Sequence, residues 1–227
     1  YFDRSMQALI DRLSAVEGVQ GGGPLVPHPV GPDSQGTALS YGQQALWFVQ
    51  QLAPSSAAYT LSYAARLHGT LDVAALGKAW SRLVARHDVL RSRFILVDGS
   101  PRQHFDLTAG AGLKVEDASR WTEEEFNEQL QAEAGHPINL EDGPVCRARL
   151  YTRAACTHVL WLMVHHIAMD LWSVGILMRE LRLLYREEAG HGPAALPDSE
   201  WSYRHFVAWQ EALVVGPDGE RLKEYWQ

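Results

Sequence analysis

The run "THVLWLMV", residues 157 to 164, constrains the fold of this 227-residue chain more than any other stretch. From Val159 to Val164 apolar side chains stand at odd and even positions alike. In an extended strand successive side chains point to opposite faces, so such a run must be covered on both and belongs to a buried sheet. It leads directly into "HHIAMDLWS", residues 165 to 173: two adjacent histidines, then Asp170, then the start of a helical pattern. Whatever lies at the end of this strand is delivered from the core to an edge.

The flanking segments supply the remaining elements. Ser40 can cap a helix to about Leu52, with Leu46, Trp47 and either Phe48 or Val49 on buried faces, and "YTLSYAARLHG" reads as a strand. Leu71 to Arg86 is a second helix, carrying Val73, Leu76, Trp80, Leu83 and Val84 on one stripe. "RSRFILVDGSPRQHF" is a hairpin, since Asp98 and Gly99 supply a turn able to take positive φ. Thr122 stands three residues before Glu125 in "TEEEFNEQL", a capping box that starts another helix. "VCRARLY" pairs with the apolar run as a strand, and a long helix from about Trp172 to Glu188 carries Val174, Leu177, Leu181 and Leu184. Helices and strands alternate in a mixed α/β order.

The two ends read differently. Residues 4 to 17 place Met6, Leu9, Ile10, Leu13 and Val16 at helical spacing, so residues 1–20 are an amphipathic helix, and residues 21–36 are a Gly/Pro-rich linker. That helix belongs to whatever precedes the main domain, docks on a neighbouring protein, or packs on its own domain. The closing "GERLKEYWQ" is a helical pattern without a cap, which leads us to expect that the domain, residues 37–227, continues further.

Composition removes several classes of function. With 46% hydrophobic and 21% charged residues the chain is ordinary globular protein, and a net charge of -7 argues against a broad phosphate-binding face and hence against nucleic acid. There is neither an 18-residue apolar run nor a basic segment followed by an apolar one at the amino terminus, so a membrane span and a signal peptide are unsupported and a cytoplasmic location is expected. The two cysteines, Cys146 and Cys156, fall on two strands joined near Arg153 and Ala154, out of register for a disulfide, and both are expected to be free and buried.

The histidine pair allows several chemistries. On an extended backbone His165 and His166 point to opposite sides, so one is expected to face a site and the other the interior. Adjacent histidines are poorly placed to share a metal ion, and no HExxH or CxxC pattern supplies further ligands. No GxSxG elbow supports a serine triad. Asp170, before Trp172 and Ser173, sits where a helix begins and where unpaired amides favour a carboxylate. From spacing alone, a structural pair on a core strand and a catalytic one both remain open.

Four ordered motifs resolve this by resemblance. "HHIAMDLWS" resembles the HHxxxDG segment, continued as DGWS, of the condensation domains of nonribosomal peptide synthetases. "LSYGQQALWFV", residues 39 to 49, is similar to that family's SxxQxxxW motif through Ser40, Gln43 and Trp47. "RHDVLRSRF", residues 86 to 94, resembles RHExLRTxF, and "YRHFVAWQ", residues 203 to 210, resembles YxDYAxW. The resemblance implies an amino-terminal lobe of the α/β, chloramphenicol acetyltransferase-like fold: a two-layer sandwich with a mixed sheet and helices packed on it. A second, carboxy-terminal lobe would complete the tunnel. It implies amide-forming acyl transfer between an upstream acyl thioester and a downstream aminoacyl thioester. Both would be carried on the phosphopantetheine of donor and acceptor carrier domains, with no cofactor or metal bound by the lobe itself.

By the family pattern His166 is the active-site histidine and His165 its structural neighbour. Nε2 of His166 could take a proton from the attacking amine or hold it by a hydrogen bond. Asp170 is implied to pair with an arginine of the second motif, Arg86 or Arg91. The order of Trp172 before Ser173 fits condensation rather than epimerization domains, and the retained histidines disfavour heterocyclization. Leu171 stands where the family carries glycine, a residue that often serves positive φ or close backbone approach. This departure opens a second reading, a condensation-like domain without catalysis that serves as a binding platform for carrier or tailoring proteins. A third, a free-standing acyltransferase using coenzyme A, is disfavoured by the linker and the uncapped end.

Overall fold

A computed structural model describes residues 36–105, 112–197, 202–216, 219–220 and 223–224. The amino-terminal helix, most of the linker and most of the closing helical pattern lie outside the described residues. The described chain runs β1 (Thr37–Ala38), α1 (Tyr41–Leu52), β2 (Thr60–His68), α2 (Val73–Arg86), a short 3-10 turn (Asp88–Arg91), β3 (Ser92–Val97), β4 (Ser100–Phe105), β5 (Leu113–Asp117), α3 (Glu123–Ala134), β6 (Cys146–Ala154), β7 (Thr157–His165), α4 (Leu171–Glu188) and α5 (Tyr203–Val215). This is the mixed α/β order that the residue pattern predicts.

Two sheets form. The larger has the order β2-β7-β6-β5, antiparallel except for the parallel β5–β6 pair, and the smaller is β1-β4-β3. β7 is thus central, and its two parities of apolar side chain enter two separate cores. Leu160, Leu162 and Val164 pack with Leu76, Trp80 and Leu83 of α2 and with Val174, Leu177, Leu181 and Leu184 of α4. Val159, Trp161 and Met163 face the other way, onto Leu39, Phe94, Phe126, Ile138 and Tyr151. Trp161 is 1% exposed, and burying a side chain of this size contributes on the order of 3 kcal/mol of transfer free energy.

Local signals account for most boundaries. Asp98 and Gly99 take φ of 51° and 76°, the positive values that a two-residue hairpin turn requires. Ser40 and Thr122 each form a reciprocal capping box, with Gln43 and Glu125 respectively. The reading of α1 needs correction. Leu46 and Trp47 are half-buried against the second core, but Phe48 is 58% exposed and Val49 37%, while the residues fully buried are Gln43 and Gln50. α1 turns its polar positions inward because they have hydrogen-bond partners there. The cysteine reading is also half corrected: both thiols are free and Cys146 is buried, but Cys156 is exposed, since β6 and β7 are joined at Ala155 and Cys156. That turn lies two residues later than the sequence suggests and carries the thiol to the surface.

Candidate active site

The site forms where β7 ends. His165 is the last residue of the strand and 1% exposed, whereas His166 begins a turn and is exposed, so it is the end of the strand, not its alternation, that separates them. The turn is pinned from several sides. The His165 amide donates to Val145 O at 2.9 Å, the His166 amide to Tyr59 O at 2.8 Å and the Ala168 amide to His165 O at 3.0 Å. Inside, His165 Nδ1 accepts the Ile167 amide at 3.1 Å and Nε2 lies 3.3 Å from Gln50 Oε1. Burial, with a smaller contribution from the neighbouring His166, pushes its pKa down to about 4, so it is a neutral ring at physiological pH.

The SxxQ segment proves to be a buttress of this turn. Gln43 Oε1 accepts the Ser40 amide at 3.1 Å, while its Nε2 donates to Ile167 O at 3.4 Å and to Gln103 Oε1 at 3.3 Å. One buried amide side chain therefore ties the start of α1, strand β4 and the histidine turn together. Ser40 Oγ also lies 2.9 Å from the Tyr203 hydroxyl, which joins α5 and the fourth motif to the same place.

Asp170 is the N-cap of α4. Its Oδ1 accepts the Ser173 amide at 2.8 Å and the Ser173 hydroxyl at 2.6 Å. Burial alone would raise its pKa, but the Ser173 hydroxyl and amide, its own backbone and the adjacent His166 together hold the carboxyl below its ordinary value. The phenols of Tyr63 and Tyr203 are shifted up, first by burial and then by the charge of Asp170. An ionised carboxylate is therefore kept within electrostatic reach of His166, Tyr63 and Tyr203. Beside it, His87, Leu90, Met169, Ser173, Leu177 and Tyr203 help to line a cavity of about 190 Å³.

The implied arginine partner of Asp170 is not found among the described residues. Arg86 Nε donates to Glu180 Oε2 at 3.1 Å and its guanidinium also reaches Pro197 O, while Arg91 donates to the carbonyls of Val84 and Ala85 at 3.0 and 3.2 Å. Asp170 is exposed and satisfied by the first turn of α4, so no counter-ion is required. The second motif instead clamps α2 to α4 through the buried Glu180, which also accepts from His87 Nε2 at 2.7 Å. Neither Glu180 nor Gln50 stands out in the sequence. Their partners lie 94 and 115 residues away, and only the polar residue inside an apolar face hints at them.

Leu171 and Trp172 open α4 and are 56% and 45% exposed. Leu171 is helical and carries no positive φ, so the family glycine's conformational freedom is not needed at this position. The arrangement can present one imidazole, on a rigid turn beside an ionised carboxylate, to a group outside. Among the described residues no cluster of His, Cys, Asp and Glu could hold a metal ion, and no helix is long and apolar enough to cross a membrane.

Comparison with known proteins gives the family and the fold. Residues 34–227 match the family described as Condensation domain. A linear gramicidin synthase of Brevibacillus parabrevis is 36% identical over 208 residues, which cover 90% of this chain but 3% of that synthase. The first condensation domain of the calcium-dependent antibiotic synthetase, solved with a substrate analogue, superposes with a TM-score of 0.73 at 27% identity over 84% of this chain and 46% of that one. An X-domain in complex with OxyB from teicoplanin biosynthesis gives 0.75 at 27% identity, over 90% of this chain and 43% of that one. The chain thus spans less than half of the solved domains and a small part of the curated synthase.

Proposed function

The chain belongs to the condensation-domain family, and from that premise we propose that it forms the amino-terminal lobe of an amide-forming acyltransferase in a multidomain peptide synthetase. A second lobe completes the tunnel, residues 37–227 supply the histidine side of it, and residues 1–20 are the tail of an upstream carrier or a docking element. The partners are donor and acceptor carrier domains presenting thioesters on phosphopantetheine.

The observation that carries the reading is the division of labour between the histidines: His165 locked and neutral inside, His166 exposed on a turn held by backbone hydrogen bonds. In the reaction the acceptor amine attacks the thioester carbonyl carbon, the new C–N bond forms and the C–S bond breaks. The amine proton passes to or through Nε2 of His166 and leaves with the thiol. Asp170, Trp172 and Ser173 shape the helix start beside it, and Arg86 and Arg91 hold α2 in place. That Leu171 takes no positive φ removes the backbone-conformation argument for a noncatalytic platform, the role that an X-domain bound to OxyB would suggest, and leaves close approach at this position to the test below.

The test is condensation by the complete parent domain with acyl-loaded donor and aminoacyl-loaded acceptor carriers, read by intact-protein mass spectrometry. Product is expected from the wild type and a loss of at least about a hundredfold from His166→Ala, the usual scale of a lost proton-transfer group. A wild type that binds both carriers and makes no product would overturn the proposal in favour of the platform.

A further inference from the structure

We infer that Gln50 is a positioning residue for the site: it fixes the tautomer of His165, and through it the turn that carries His166. The order of donors and acceptors leads there. The Ile167 amide can only donate, so His165 Nδ1, which receives it at 3.1 Å, must be the bare nitrogen of the ring. The proton is then on Nε2, and Nε2–H donates to Gln50 Oε1 at 3.3 Å. Gln50 is itself oriented, because its amide nitrogen donates to Pro54 O at 3.1 Å and leaves only the oxygen to face the ring. From Pro54 through Gln50 and His165 to Ile167 every bond runs in one direction, and none can be reversed without leaving a buried polar group unpaired.

The groups facing the ring are Gln50 from α1, the Ile167 amide in the turn and, among titratable groups, His166. Among the described residues no carboxylate faces the ring, so nothing there favours an imidazolium. A proton added at Nδ1 would place two N–H groups against each other, break the Ile167 bond and release the turn on which His166 stands. An uncharged side chain at position 50 is therefore part of the site's design. A glutamate there would accept from Nε2 equally well but would stabilise the charged ring.

The inference rests on the proposed role of His166 only for its effect on rate, and the ring state can be measured without it. In the ¹⁵N-labelled chain, His165 is expected to show the Nε2–H neutral tautomer from pH 8 to pH 5. In Gln50→Glu its titration is expected to move up by at least one pH unit, about tenfold in proton affinity. In the complete parent domain, Gln50→Glu is expected to lose condensation rate on the acid side while retaining it within a few-fold at pH 8, whereas a merely structural defect would lower the rate at every pH. If the glutamate variant does not fold, the uncharged Gln50→Met is used, in which the Ile167 amide alone holds the tautomer and a minor Nδ1–H population, absent from the wild type, is expected. An Nδ1–H ring in the wild type, a ring charged at pH 6, or a ring whose state is unchanged in both variants would overturn the inference. A parent domain without condensation activity would defeat the acyl-transfer reading and leave the ring measurement to decide this one.

Discussion

Replacing Glu180 by alanine should destabilise the chain by about 2 to 3 kcal/mol, and the structure says why the figure is neither larger nor smaller. One carboxylate oxygen, Oε2, receives both Arg86 Nε at 3.1 Å and His87 Nε2 at 2.7 Å. Two hydrogen bonds to a charged acceptor, at roughly 1.5 to 3 kcal/mol each, set the upper range. Removing the acid would leave a cation behind, which costs about 3 to 5 kcal/mol where the cation is fully buried. Here the side chains of Arg86 and His87 keep 20% and 28% of their exposure against 7% for Glu180, so water recovers part of that loss. Glu180→Gln keeps an acceptor and should cost about 1 kcal/mol. Urea denaturation followed by tryptophan fluorescence gives the values, with Arg82→Ala as the control. Arg82 pairs with Glu187 and Glu188 at the surface with 44% exposure, and its loss should cost less than about 1 kcal/mol. A cost below about 1 kcal/mol for Glu180→Ala, or one no greater than the control's, would refute the claim that the second motif works as a clamp between α2 and α4.

His165 makes stability depend on acid. Its pKa is 6.5 in an unperturbed chain and about 4 when folded, so the unfolded chain takes up the proton first. Stability should be complete above pH 6.5 and fall through the window down to pH 4, by about 3 kcal/mol in all, and His165→Asn should flatten that part of a urea midpoint against pH profile. Asp170→Ala should cost about 1 kcal/mol as a lost cap and Asp170→Asn only a few tenths. In a double-mutant cycle with Arg91→Ala the coupling should stay within about 0.5 kcal/mol, and a larger value would restore the arginine pair. Native thiol labelling should modify Cys156 rapidly and spare Cys146, whose burial pushes its pKa up to about 12, with the second thiol reacting only in denaturant.

What is legible in the sequence is local or periodic. The unbroken apolar parity of 159 to 164 requires two covered faces, and both exist; Thr122 with Glu125 and Asp98 with Gly99 mark a helix start and a turn by chemistry confined to neighbours. The opposite fates of His165 and His166 match the expectation for an extended pair but arise differently, because the strand ends at His165 and a turn carries His166 outward. Nonlocal polar contacts are out of reach. The inward face of α1 escapes the apolar pattern because Gln43 and Gln50 are buried by partners on β4 and in the histidine turn, far along the chain. The motif points to an arginine as the partner of Asp170 although its donors are three residues away, and the partner of Arg86 is an acid in the middle of a helix. A glycine position suggests special backbone where an ordinary first helical residue suffices.

The central place of β7 has a consequence for how the site can fail. Its amides are paired on both sides, with β2 and with β6, and its side chains anchor both cores, so it has no route to local fraying. Its backbone hydrogens should exchange with solvent only when the whole described fold opens, and their exchange free energy should equal that of global unfolding. His166 is one residue beyond the end of this strand. Apart from a local release of the histidine turn itself, the fraction of molecules with a misplaced imidazole is therefore set by the stability of the described fold as a whole, and a lesion in either core should reach position 166 as a larger misplaced population.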